Sequence, residues 1–186
     1  HSMSVLMWAA REGHTEIARL LIACGANVNY VGHCRTALIY AAFEDHTKTA
    51  ELLLSHGAEV DQPDNDGRTA LIAAAYYGHT DISKLLIDHG ADVNHASNNG
   101  RTSLMLTSEW GYTKIAELLI ANGAKIDHAD NEGKSALIKA SENGHTDTAE
   151  LLILGTKENL SKYYTTPLLA VEKFLSSNSP YLANIK

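Results

Sequence analysis

The sequence predicts an all-α solenoid of stacked helix–turn–helix units joined by β-turn fingers. Three recurring markers predict it. Thr/Ser-x-Leu triplets begin at Ser4, Thr36, Thr69, Thr102 and Ser135, in steps of 32, 33, 33 and 33 residues. Gly-Ala pairs begin at Gly25, Gly57, Gly90 and Gly123 in the same register, and a Leu-Leu pair follows the triplet at the same distance in all five units, at 20–21, 52–53, 85–86, 118–119 and 151–152. A recurrence of this length marks a chain assembled from like structural units. The expected units are 1–30, 31–63, 64–96, 97–129 and 130–154.

Each unit divides into two short helices and a turn, and the third shows why. Thr69 suits the N-cap of a first helix, because its hydroxyl can accept from a free backbone amide. Leu71, Ala74 and Ala75 then share one helical face at i, i+3, i+4 spacing. Gly78 ends that helix. Ile82, Leu85 and Leu86 repeat the spacing on a second helix, which Gly90 ends; glycine suits both stops because it reaches positive φ. Val93 to Gly100 is polar and rich in Asn, and should form the finger joining one unit to the next. A single helix pair cannot enclose its own apolar face. The alanine pairs at 9–10, 41–42 and 74–75 let neighbouring pairs approach closely, so that stacking yields one continuous core.

At Asp64-Asn65-Asp66-Gly67-Arg68-Thr69-Ala70-Leu71-Ile72, Gly78-His79-Thr80 and Leu85-Leu86 through Gly90-Ala91-Asp92-Val93-Asn94, the chain resembles the ankyrin repeat. The resemblance extends over about residues 3–154 and implies an ankyrin-repeat solenoid. Ile39, Ile72, Ile138, Met7 and Met105 stand where the family places a histidine. The resemblance also implies that His14, His46, His79 and His145, with Tyr112 once in their place, act structurally between helices. Asn29 and Asn94 match positions that can be hydroxylated in similar proteins, while their residue type favours turn hydrogen bonding.

The ends are less regular. Residues 155–186 lose the register and read as a degenerate sixth repeat, a C-terminal cap and tail, in which Thr166-Pro167-Leu168 resembles a further unit start. His1-Ser2-Met3 reads as an expression remnant ahead of the natural start, so the chain is expected to be a fragment. The second unit is irregular within: its turn is one residue shorter, with Cys34 in place of glycine, and Asp45 takes the place of the helix-ending glycine. A non-glycine residue is strained at positive φ, so Gly32 or a reshaped turn is expected to relieve it.

Composition narrows the function. The net charge is −7, with 15 basic and 22 acidic residues, and no run of four Lys/Arg occurs. That excludes the electrostatic basis of non-specific nucleic-acid or anionic-membrane binding. No apolar run is long enough to span a bilayer. The two cysteines, Cys24 and Cys34, make no disulfide framework; they are expected to be free, buried thiols in a reducing compartment. With the resemblance, this implies intracellular, cytoplasmic residence. No catalytic motif occurs, the histidines lack zinc-site spacing, and no catalytic residue, metal or cofactor is expected. Acids such as Asp64 and Asp66 read as solvated turn residues.

Positions that vary between units carry the candidate site. Similar proteins bind partners at the finger tips and the concave end of the first helix. One ladder, just before each capping Thr/Ser, is basic: Arg35, Arg68, Arg101 and Lys134. At a helix spacing of ~8–10 Å it would run roughly 30 Å. A second ladder occupies the two positions before each helix-ending slot: Arg11-Glu12, Phe43-Glu44, Tyr76-Tyr77, Glu109-Trp110 and Glu142-Asn143. Four of the chain's 12 aromatics fall there, in three adjacent units. Large aromatics at helix ends have no stacking duty, and Tyr and Trp make interface hot spots. Tyr40 either extends this patch or packs beneath it.

The reading is a monomeric, non-enzymatic protein–protein interaction module that grips a partner segment or domain in a concave groove. Phe43, Tyr76, Tyr77 and Trp110 would anchor it, the basic row would meet acidic groups, and Glu44 and Glu109 would select basic ones. Two alternatives stay open: a scaffold or targeting arm of a longer multidomain protein, or a nucleotide or small-molecule site on Arg68, Tyr76, Tyr77 and Arg101.

Overall fold

The computed structural model describes residues 3–32 and 35–163, with side chains to residue 155. Among these residues the chain forms ten helices: α1 (Val5–Arg11), α2 (Thr15–Ala23), α3 (Ala37–Phe43), α4 (Thr47–Ser55), α5 (Ala70–Tyr77), α6 (Thr80–Asp88), α7 (Ser103–Trp110), α8 (Thr113–Ala121), α9 (Ala136–Glu142) and α10 (Thr146–Tyr163). Extended structure is limited to isolated bridges, such as Ala96 with Thr102 and Ala129 with Ser135 at the base of the fingers. The expected all-α solenoid is present.

Every first helix starts as the triplets predict. Ser4, Thr36, Thr69, Thr102 and Ser135 are N-caps, each accepting from the amide three residues on. α1, α3, α5, α7 and α9 pack in sequence along one row and the even helices along another. The first row is the tighter, because alanine and small hydroxyl residues line it: Ala10, Ala42, Ala75 and Ser108 are fully buried. A stack packed more closely along one row bends toward that row, which makes the first helices the concave side.

Glycine at the first-helix stop serves two purposes at once. Gly111 has φ 73°, and a Cβ there would lie 2.5 Å from the His145 ring; Gly78 has φ 77° and would meet the Tyr112 ring at 2.7 Å. The ring of the next unit therefore lies over the glycine. His46, His79 and His145 each place Nε2 3.0–3.1 Å from a carbonyl of the preceding first helix, at Arg11, Phe43 and Glu109. A carbonyl only accepts, so Nε2 donates. The recurring histidine is an inter-unit strut.

The second unit meets its irregularity at two places, the stop of its first helix and its finger. Asp45 itself adopts φ 60°, and its carboxylate lies 3.8 Å from His79 Nδ1. The neighbouring finger is reshaped: Gly32 and Arg35 exchange backbone hydrogen bonds of 3.1 and 3.0 Å, closing a hairpin shorter than the Ala96–Thr102 and Ala129–Ser135 closures. Cys34 lies outside the described residues. Cys24 is exposed, not buried, because α2 turns that end toward solvent. Asp64 is buried rather than solvated; its Oδ1 accepts from the amides of Asp66 and Arg68 and so shapes the finger. At the far end, α10 continues through Gly155 to Tyr163; Gly155 lies against the tip of the Ile126 side chain, which would have to shift to admit a Cβ. The suggested unit start at Thr166-Pro167-Leu168 lies outside the described residues.

Candidate functional site

The tight stacking of first helices brings the variable helix-end positions of successive units side by side. Phe43, Tyr76, Tyr77 and Trp110 form a continuous chain of rings across three units. Phe43 and Tyr77 centroids are 4.4 Å apart, Tyr77 and Tyr76 4.8 Å, and Tyr76 and Trp110 5.7 Å. The last two pairs are edge-to-face, an arrangement that the positive ring edge and negative ring face favour. Tyr77 also stacks on His79 at 5.9 Å, so the aromatic row rests on the inter-unit strut. Tyr76, Tyr77 and Trp110 are 39, 41 and 48% exposed: the row is surface, not core.

Phe43, Tyr76 and Tyr77 wall a groove of about 360 Å³, and Trp110 continues the row outside its walls. Arg35, Arg68 and Arg101 reach it from the finger side, and Ile39, Ile72, Ala73 and Leu106 form its apolar lining. The sequence reading missed this lining because those residues also serve the core. Tyr40 is buried and does not extend the patch; it packs beneath the Arg35 guanidinium, whose carbon sits 5.7 Å from the Tyr40 ring and 4.9 Å from Phe43. Such cation–ring contacts are worth about 0.5–2 kcal/mol. Beside the shortened finger lies a second depression of about 610 Å³, lined by Trp8, Arg11, Arg35, Tyr40 and Asp64 to Asp66.

The charged ladder is internally paired. Arg35 faces Asp64 at 3.7 Å, Arg68 faces Asp66 at 3.3 Å, Arg101 pairs with Glu109, and Lys134 binds Glu142 at 2.8 Å. Glu44 in turn faces Arg11 at 3.8 Å. The Glu142 hydrogen bond holds the Lys134 ammonium above its usual pKa. The row that reads in sequence as free positive charge is thus close to neutral in the fold. Burial pushes the Tyr77 hydroxyl above the ordinary phenol value, helped by Tyr76 and Glu44 and opposed by Arg35 and Arg68. Tyr77 therefore stays a neutral donor throughout the physiological range.

Lys139 stands out in the same row of helices. It occupies the position held by Trp8, Tyr40, Ala73 and Leu106 in the other units, and it is buried with its ammonium 3.0 Å from Asp130. The signal was present in the sequence as a lysine in an otherwise apolar register. Among the described residues no group of three or more His, Cys, Asp or Glu side chains could hold a metal ion. None of the described helices is long and apolar enough to cross a membrane.

The stacked hairpins, capped first helices and histidine struts define a helical repeat solenoid. The family model for ankyrin repeats in three copies matches residues 1–64, 61–130 and 97–166. The chain belongs to the ankyrin repeat proteins. No curated protein matches it. Ankyrin repeats are generally protein–protein interaction modules, and the family is typically non-enzymatic.

Proposed function

We propose that the concave groove of units two to four binds a segment or domain of another protein, with Phe43, Tyr76, Tyr77 and Trp110 as its anchors. The observation that carries this reading is the unbroken ring row across three units, exposed at Tyr76, Tyr77 and Trp110 and half-buried at Phe43, with Phe43, Tyr76 and Tyr77 walling a groove of mixed apolar and arginine lining. Rings held against one another lose little freedom on binding, so their burial converts efficiently into affinity. Arg35, Arg68, Arg101 and Lys134 with Glu44, Glu109 and their paired acids form a polar rim that orients the partner more than it attracts it. The test is capture of partners with the wild-type chain and with the Y76A/W110A variant. Loss of two hot spots should weaken binding by about 4 kcal/mol, roughly a thousandfold. Unchanged capture by the folded variant would exclude this groove.

A second reading has its own support. Arginines and tyrosines converge on one 360 Å³ groove, and such groups can sandwich a nucleobase or other flat ligand. Thermal-shift measurements with nucleotides decide it, since a ligand at a hundred times its Kd stabilises by about 2.7 kcal/mol. A role as scaffold or targeting arm of a longer protein is compatible with either.

A further inference from the structure

The first unit presents an interior surface to solvent. Val5, Trp8, Ile17 and Leu20 are 67, 53, 47 and 67% exposed. In the later units three of these four positions are buried without exception. The counterparts of Trp8 are Tyr40, Ala73, Leu106 and Lys139, each no more than 8% exposed. Those of Ile17 are Thr49, Ile82, Ile115 and Thr148, each no more than 1% exposed. The counterparts of Val5 are alanine or serine, all at 1%. The covering in each case is the unit before, through the contacts of α1 on α3, α3 on α5, α5 on α7 and α7 on α9, and the matching even-helix contacts.

An end unit of a solenoid normally turns a polar face to water. Here that face carries three aliphatics and a tryptophan. From this we infer that the outer face of α1 and α2 is a stacking face built to accept one more helix–turn–helix unit of the same construction, joined ahead of Ser4 through its own finger. The four inter-unit interfaces of the array supply the argument, because they are the same surface with its occupant in place. Val5 and Trp8 are bulkier than most of their counterparts, so the occupant must offer small side chains opposite them, as the alanine-rich first helices do.

The test extends the whole chain with a copy of residues 69–101 placed directly before Ser4, which keeps the 33-residue register. Trp8 is followed by fluorescence in a W110F background. Stacking should raise Tm by about 5 °C or more and move Trp8 emission to the blue. I17E/L20E should leave the Tm of the unextended chain within about 2 °C, since both side chains face water there, and should abolish the gain in the extended one. An extended chain with no gain, or a gain that survives I17E/L20E, overturns the inference. So does sedimentation equilibrium showing a discrete dimer of the unextended chain that I17E/L20E dissolves, because the face then belongs to a second copy.

Discussion

Asp130 and Lys139 form a buried ion pair whose two members are unequally supported. Burial alone would raise the Asp130 carboxyl. The amides of Lys134 and Glu132 and the Lys139 ammonium outweigh it, so Asp130 titrates below the usual carboxylate value. Lys139 has only the carboxylate. Removing the charge from Asp130 therefore strands a buried ammonium, whereas replacing Lys139 by an apolar residue leaves Asp130 with two amide donors. D130N should cost about 3 kcal/mol in denaturant unfolding and K139M about 1 kcal/mol or less. A group held below its unfolded value stabilises fully above pH ~4 and loses that contribution as pH falls through its folded value. The gap between wild type and D130N should accordingly narrow below pH ~4. Asp45 supplies a second residue-scale case. At φ 60° it bears a Cβ penalty that glycine avoids and that Asp partly offsets by local hydrogen bonding. D45G should gain about 0.5 kcal/mol and D45A lose about 1 kcal/mol; thermal melts that reverse this order would refute the account.

At the scale of the element, the fingers and second-helix ends are stitched by one recurring side chain. The Asn29 amide donates to the Gly57 carbonyl at 3.0 Å and its oxygen accepts from the Glu59 amide at 2.9 Å. Asn94 repeats this with Gly123 and Lys125 at 3.1 and 2.8 Å. Both are committed to linking units, which is a fuller account of them than turn formation alone. Asp61 holds the intervening position and accepts from the Asp92 amide, but a carboxylate has no proton for the Gly90 carbonyl. D61N should add that bond and raise stability by about 0.5–1 kcal/mol, and N94D should lose a similar amount. Equal melting temperatures for wild type and D61N would show that the donor bond contributes nothing.

Across the whole molecule, the balance of charge and aromatic area decides how the groove works. A sequence count finds four basic residues in line. In the fold each is paired with an acid from its own chain, so little net attraction is left for a partner. Affinity should then come from ring burial, and a change from 50 to 500 mM salt should alter the partner Kd by less than about threefold. A tenfold or greater weakening would show that the basic row binds by charge after all.

The repeat register, the helix caps and the stops were legible from sequence because each depends on short-range spacing: Thr69 caps its own helix, and Gly78 ends it. The aromatic ladder was legible too, since positions 33 residues apart in a regular array must lie near one another. Three features came only from the tertiary structure. Tyr40 sank beneath Arg35, Asp64 turned inward to hold the finger, and the four basic residues found acidic partners. Each outcome depends on which neighbour arrives within a few ångströms after stacking, and residue spacing along the chain does not contain that distance. The sequence by itself determined the units and their order; the packing of one unit on the next decided which side chains remain free to meet another molecule.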